Sequence, residues 1–152
     1  GLKISDPRTP KAVQRWKEWK ENGYDTVGAS ALDRFGNLAS ATSTGGRGFE
    51  RPGRVSDSGM PVANYADENC AVSATGIGEE IIDEGLAIRI ATRVRDGMGL
   101  GEAFRKTFQE IHSRGHRIGA VGLDSKGNLA YAATTEVLIF GWRKGKRSFV
   151  SP

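Results

Sequence analysis

Apolar positions along this chain follow two different periods, and the switches between them mark out its elements. After Thr9-Pro10, suited to an N-cap and a first helical position, Val13, Trp16 and Trp19 recur at helical spacing until Gly23. Lys11, Arg15, Lys17, Glu18, Lys20 and Glu21 occupy the other face, which predicts a mostly solvated helix that packs through its tryptophans. From Thr26 to Thr44 the pattern changes to short strands of small and apolar residues. Asp33-Arg34-Phe35-Gly36-Asn37 breaks them as a turn with a glycine suited to positive φ, so a β-hairpin is expected. Residues 45 to 64 carry Gly45, Gly46, Gly48, Pro52, Gly53, Gly59 and Pro61 and predict a long loop, a feature more often functional than idle in a compact domain. Cys70 to Ala74 predicts another strand. Thr75-Gly76-Ile77-Gly78 then opens a predicted helix of about twenty residues ending near Gly97, with Ile81, Ile82, Leu86, Ile90 and Val94 supplying its buried face. Leu100, Ala103, Phe104, Phe108 and Ile111 predict a third helix, stopped by Gly115, and Val137 to Trp142 a final strand.

The first hairpin returns. Gly28-Ala29, Leu32-Asp33 and Gly36-Asn37-Leu38-Ala39 match Gly119-Ala120, Leu123-Asp124 and Gly127-Asn128-Leu129-Ala130, every pair 91 residues apart. Two copies are too few for a solenoid but argue for two similar hairpins in a layered sheet structure. The order of strands and consecutive helices is neither alternating βαβ nor all-β. It predicts an α+β architecture of antiparallel sheet with helices packed on its outer faces. Strand edges are left over in such a chain, so a further partner or polypeptide segment is expected to cover them.

Composition narrows the class. At 152 residues one core suffices, and 21 glycines, about double ordinary usage, imply many tight turns or close backbone approaches. No apolar run approaches the roughly 20 residues of a membrane span, and the basic, Trp-containing start does not resemble a signal peptide, so a soluble protein without a membrane partner is expected, placed in the cytoplasm. The single Cys70 reads as a small buried hydrophobe and favours a reducing compartment. His112 and His116 have no Cys or carboxylate cluster at metal-ligand spacing, so neither metal nor histidine-triad chemistry is expected. Net charge is +4, but Arg143, Lys144, Lys146 and Arg147 share one short stretch that reads as a solvated tail rather than a nucleic-acid surface.

The chemistry centres on Asp25-Thr26-Val27-Gly28-Ala29. A threonine hydroxyl is a weak nucleophile, but a threonine at a chain terminus carries its own base, an α-amino group with pKa near about 8. Cutting Asp25-Thr26 would give Thr26 both roles. Alone, the pentapeptide is ordinary strand chemistry. In order along the chain, however, Thr26-Val27-Gly28-Ala29, Thr42-Ser43-Thr44-Gly45-Gly46, Pro52-Gly53-Arg54-Val55-Ser56-Asp57-Ser58, Tyr65-Ala66-Asp67 and Thr75-Gly76-Ile77-Gly78-Glu79 resemble the N-terminal nucleophile hydrolases of the plant-type asparaginase group, which includes isoaspartyl peptidases and glycosylasparaginases. The resemblance runs from Asp25 to about Thr135. It implies a precursor that cuts itself before the nucleophile, between Asp25 and Thr26, into α and β parts folded together as a four-layer αββα sandwich. Residues 1–25 would then be the helical end of the α part and 26–152 the catalytic β part. It also implies no cofactor, a dimer of αβ units, and an N-terminal α part, with a glycine-rich opening and sheet-forming strands, that this sequence does not contain. Two departures from the family pattern are Ser56, where many relatives carry glycine, and a shorter loop before Tyr65.

Each motif also has a physical reading. Thr44 ends the strand antiparallel to the one Thr26 begins, so its hydroxyl can hydrogen-bond the Thr26 amine or hydroxyl. Arg54 and Asp57, three apart beside a glycine-rich loop, make an ordinary surface pair by themselves. In the functional reading the Arg54 guanidinium forks onto a substrate α-carboxylate and Asp57 receives its α-ammonium, with Val55 and Ser56 between them. Thr75 and Gly76 sit where strand meets helix and backbone amides favour negative charge. The resemblance makes the Thr75 hydroxyl and the Gly76 amide an oxyanion hole, with Ile77 and Gly78 lining the substrate pocket. The expected reaction is hydrolysis of a side-chain amide of asparagine, or of an isoaspartyl bond, to release aspartate. Glycosylasparaginase-type hydrolysis of N4-substituted asparagine is the alternative within the family. From other classes, a phosphate or nucleotide module at Gly76-Ile77-Gly78, assisted by Arg47, Arg51 and Arg54, and a non-catalytic structural fragment stay open. The first lacks the third glycine and the βαβ unit of the dinucleotide fingerprint.

Overall fold

The computed structural model describes residues 9–10, 13–14, 17, 26–46 and 53–151. Pro10, Val13, Gln14 and Lys17 are helical, as their spacing predicts, while Trp16, Trp19, Gly23 and Asp25 lie outside the described residues. β1 (Thr26–Leu32) and β2 (Leu38–Thr44) form an antiparallel pair whose register runs from Thr26 opposite Thr44 to Leu32 opposite Leu38. The turn between them is held by one carboxylate: Asp33 accepts the Phe35 N–H at 2.7 Å, the Asn37 N–H at 2.9 Å and the Asn37 side-chain amide at 2.8 Å.

A four-stranded antiparallel sheet follows, in the order β3 (Asn64–Ala66), β4 (Cys70–Gly76), β5 (Ile118–Asp124) and β6 (Leu129–Ala133). One face takes the helices α1 (Gly78–Glu84), α2 (Leu86–Arg95) and α3 (Leu100–Ser113). The main core lies there, built from Val72, Ala74, Ile81, Leu86, Ile90, Phe104, Ile111 and Ile118, each large side chain contributing about 1.5–3 kcal/mol by leaving water. The other face takes the β1–β2 hairpin. The chain is thus α+β with antiparallel sheets, as its element order predicts.

Side-chain alternation assigns the faces. A methyl at Gly28 would lie 1.9 Å from Ser73 Oγ, and Thr42 Oγ1 meets Ser73 Oγ at 2.8 Å, so the even-numbered residues of β1 and β2 and the odd-numbered residues of β4 face one another. The Ser40 hydroxyl also reaches across, donating to the Val72 carbonyl at 2.8 Å. This interface is polar and made of small residues, whereas the helical interface is aliphatic and aromatic.

The structure corrects four expectations. The predicted helix of about twenty residues is two helices, because Gly85 adopts a left-handed φ of 54° that turns the chain and lets its N–H close on the Ile81 and Ile82 carbonyls. Ile82 is consequently 38% exposed rather than a core residue. The predicted loop over 45–64 contains a 3-10 turn at Asp57–Gly59 and ends in β3, whose three residues are too few to show periodicity. The predicted strand Val137–Trp142 is irregular up to Phe140. A ribbon of β7 (Gly141–Lys144) and β8 (Arg147–Val150) follows instead, so the basic stretch is an ordered hairpin and not a tail. Tyr131 stacks on Phe140 at 3.9 Å between ring centres, and Lys144 Nζ donates to the Gly127 carbonyl at 3.1 Å, tying the ribbon to the four-stranded sheet. Among the described residues no helix is long and apolar enough to cross a membrane.

Candidate active site

The register that opens β1 against the end of β2 brings two hydroxyls together: Thr26 Oγ1 donates to Thr44 Oγ1 at 3.3 Å. Thr44 Oγ1 in turn accepts the Gly46 N–H at 3.1 Å, a short side-chain turn that fixes its rotamer as the strand ends. Both threonines lie at even positions and so face the four-stranded sheet. Contacts between the layers step from Ser40 with Val72 to Thr42 with Ser73, so β2 advances toward Thr44 as β4 advances toward Thr75. Thr75 is an odd position of β4 and faces back. Thr26, Thr44 and Thr75 therefore share one end of the interlayer space.

Gly76 could be no other residue. Its φ is +135°, and a methyl there would lie 2.4 Å from the Arg117 carbonyl oxygen and 2.8 Å from Ile118 Cα. Strand β4 thus bends sharply into α1 with the Arg117 backbone pressed against the bend. Gly78 is as tightly placed from the other side, where a methyl would lie 2.4 Å from Asp57 Oδ1 and 2.5 Å from Ser56 Oγ.

Asp57 is turned inward at 8% exposure and accepts the Ser56 hydroxyl at 2.9 Å. Arg54 does not pair with it. The guanidinium donates to Ser56 Oγ at 3.2 Å and to Glu79 Oε1 at 3.1 Å, so the ordinary surface pair of Arg54 with Asp57 does not form. The reason is positional: Ser56 stands between the two, and Glu79 projects from the first turn of α1 onto the guanidinium. Arg54, Ser56 and Asp57 are brought to the start of α1 beside Ile77 and Gly78, whereas Val55 is 74% exposed. Arg47 and Arg51 lie outside the described residues. With Asp57, Glu79 and Glu80 crowded at the N-terminus of α1, that helix end already holds negative charge, which argues against the phosphate-module alternative.

In the sequence Glu79 stands only at the end of a motif, and Glu84 belongs to none. Glu84 has no exposed side-chain surface. It meets Arg114 at 2.6 Å, His116 Nδ1 at 2.9 Å and the Arg89 guanidinium, and Arg89 and Arg93 both reach Glu110. Burial pushes the Glu84 carboxyl up, but hydrogen bonds from Arg114 and Arg89 outweigh it and hold it below the ordinary value. For Glu110 the Arg93 hydrogen bond leads in the same direction. A carboxylate one turn past Glu80 and five residues before Arg89 was the available signal. Cys70 is fully buried as expected, and burial, reinforced by Asp67 and Asp124, pushes its thiol up to about 12, so it stays unreactive.

A cavity of about 630 Å³ lies elsewhere. It runs along Gly28–Leu32 of β1 and the start of the turn after it, across Val121–Leu123 and Leu129–Tyr131, to Phe140–Gly145 at β7, and includes none of Thr26, Thr44 or Thr75. It is a slot between β1, the β5–β6 pair and β7.

The asparaginase family profile matches residues 3–150. An isoaspartyl peptidase/L-asparaginase of Nostoc sp. is 47% identical over 86% of this chain and 41% of its own length, and one of Synechocystis sp. is 40% identical over 95% and 50%. A plant-type L-asparaginase of Pyrobaculum calidifontis is 41% identical over 79% and 42%. The chain thus spans about half the length of the curated relatives it matches. With the profile spanning nearly all of the sequence and the motif threonines gathered at one end of the interlayer space, the chain belongs to the asparaginase family.

Proposed function

We propose that this chain carries the nucleophile and much of the substrate site of an autoprocessed threonine amidohydrolase that releases aspartate from asparagine or β-aspartyl peptides. The observation that carries the reading is the Thr26–Thr44 hydroxyl pair, set at the same end of the interlayer space as the Thr75–Gly76 bend. The Asp25–Thr26 bond is cut first, separating 1–25 as the end of the α part from 26–152 as the β part. The freed Thr26 amine takes the proton of its own hydroxyl as Oγ1 attacks the side-chain amide carbon. The oxyanion is held by the Thr75 hydroxyl and the Gly76 N–H. Ammonia or an amine leaves with that proton and an ester remains on Thr26. Water, losing a proton to the same amine, then opens the ester and releases aspartate. Arg54 takes the substrate α-carboxylate and Asp57 its α-ammonium, the guanidinium turning from Glu79 toward the ligand. No step requires a cofactor.

The rest of the molecule supports an incomplete sandwich. Among the described residues β1 pairs with β2 alone and its outward Val27 is 69% exposed, and the slot along β1, about 630 Å³ in volume, ends at β7. A further polypeptide part of the length seen in relatives would fill it and complete a four-layer αββα sandwich, which then pairs as a dimer of αβ units. The buried free thiol at Cys70 suits a reducing cytoplasm.

The test is intact mass and N-terminal sequencing of this chain produced together with that further part, followed by assay on asparagine, a β-aspartyl dipeptide and N4-glycosylated asparagine. The expected result is a new terminus at Thr26 and release of aspartate from one of the first two. Thr26→Ala should leave the chain uncut and inactive, and cutting or turnover by that variant would sink the assignment. Preference for the glycosylated substrate would move it to the glycosylasparaginase type. Arg54→Ala and Asp57→Ala should raise KM while processing continues, because the precursor bond has neither group that they recognise.

A further inference from the structure

The bend at Thr75–Gly76 is braced from behind by backbone that the reaction does not touch. The Arg117 carbonyl accepts the Ile77 N–H at 3.2 Å and crowds the Gly76 Cα, so this one peptide fixes both the plane after Gly76 and the room available to it. The N–H of the same residue, on the preceding peptide, donates to Glu80 Oε2 at 2.6 Å. On either side the segment is tied down independently. Arg114 and His116 meet Glu84, and the Thr134 hydroxyl donates to the His116 carbonyl at 2.5 Å while accepting the Ile118 N–H at 2.9 Å. Glu80 and Glu84 stand four apart on α1, so one helix face grips the whole segment. Their situations differ. Glu84 is fully buried within a network of cations, but Glu80 is half-buried and holds one backbone amide.

We propose that Glu80 is a positioning residue for the oxyanion site: by holding the His116–Arg117 peptide it fixes the backbone of Arg117, whose carbonyl on the following peptide braces the Gly76 bend, and hence the aim of the donors at Thr75 and Gly76. The proposal rests on the reading of that bend as the oxyanion site. A half-buried carboxylate contributes little to the core, and the Glu84 network anchors the segment without it, so removing Glu80 loosens the bend more than the fold. Donors aimed at developing charge act in the transition state and not on the bound substrate, so the loss falls on kcat. Glu80 also sits in the first turn of α1, where a negative charge would favour the helix dipole whatever it touched. Glutamine separates the two roles, because its amide oxygen still accepts the Arg117 N–H but carries no charge.

The experiment uses the assembled enzyme and compares Glu80→Ala and Glu80→Gln by steady-state kinetics on a β-aspartyl dipeptide, thermal unfolding, and amide hydrogen exchange at Ile77 and Arg117. The alanine variant should lose about 10–100-fold in kcat with KM within about twofold, and its Ile77 amide should exchange faster. The glutamine variant should stay within about threefold of wild type on both measures. Wild-type kcat and undisturbed Ile77 protection in the alanine variant would overturn the proposal. So would a glutamine variant as impaired as alanine, or a fall in Tm with KM and kcat shifting together. Inactivity of the wild-type assembly would count against the amidohydrolase reading alone, and the exchange comparison would then decide whether Glu80 braces the bend.

Discussion

Asp33 and Asp124 stand 91 residues apart and fold the same turn. Each carboxylate accepts two backbone amides and the side-chain amide of the asparagine four residues on, at 2.7–2.9 Å in the first hairpin and 2.8–2.9 Å in the second. Gly36 and Gly127, at the same place in each, have φ of 90° and 75°. Beyond the turn the hairpins diverge. Six of the seven residues of β5 are buried, because β4 and β6 flank it, helices cover one face and the β1–β2 hairpin the other. None of β1 is buried, since among the described residues it pairs with β2 alone and meets the neighbouring layer through small residues and hydroxyls. The same turn code thus serves an enclosed strand in one place and a half-solvated one in the other. That difference suits the role proposed for Thr26, because a nucleophile and its amine must be reached by substrate and water.

Substitution at equivalent places should separate the two most clearly in activity. Thr44 and Thr135 correspond across the repeat, but only Thr44 touches Thr26, whereas Thr135 Oγ1 donates to the Val137 carbonyl. Thr44→Ala should lower kcat of the assembled enzyme about 10–100-fold and Thr135→Ala by less than about twofold. Equal losses would mean that the Thr26–Thr44 contact is incidental.

A second difference should appear on acidification. The helices over β4 and β5 depend on Glu84 and Glu110, both held below the ordinary 4.5 by their arginines. Because the folded values are depressed, this stabilisation is complete above the unfolded value and is lost as pH falls through the folded ones. Urea midpoints should therefore drop below about pH 4.5, with a shallower slope in Glu84→Gln. At neutral pH that variant should already cost about 1–3 kcal/mol, since it removes the charge of a fully buried carboxylate that takes hydrogen bonds from the partly exposed Arg89 and the half-exposed Arg114. An unchanged midpoint would show the cluster to be replaceable.

The smallest contrast lies in the turns. Asp124→Ala should cost about 1–3 kcal/mol in urea unfolding, because it leaves amides unpaired beside a buried strand. Asp33→Ala breaks the same three bonds at an exposed turn, where water replaces them, and should cost distinctly less. Equal costs would mean that the turn itself, and not its burial, sets the energy.

Both hairpin turns, the glycine stop near the end of α3, the amphipathic stripe of that helix and the order of the motifs are legible in the residues alone. They depend on interactions within a few positions, on turn residues with fixed conformational preferences and on the period of apolar side chains. Gly85 was visible too, but whether it continues a helix or breaks it depends on how α2 settles against the sheet. The three residues of β3 and the ribbon after Phe140 form because neighbouring strands and aromatic rings receive them. Arg54 meets Glu79, 25 residues away, rather than the carboxylate three positions on, and Glu84 is buried among cations drawn from α2 and from the loop before β5. Spacing along the chain cannot state these, because the strength of an ion pair and the opposition of Thr26 and Thr44 to Thr75 depend on distances and burial that exist only once the layers have stacked.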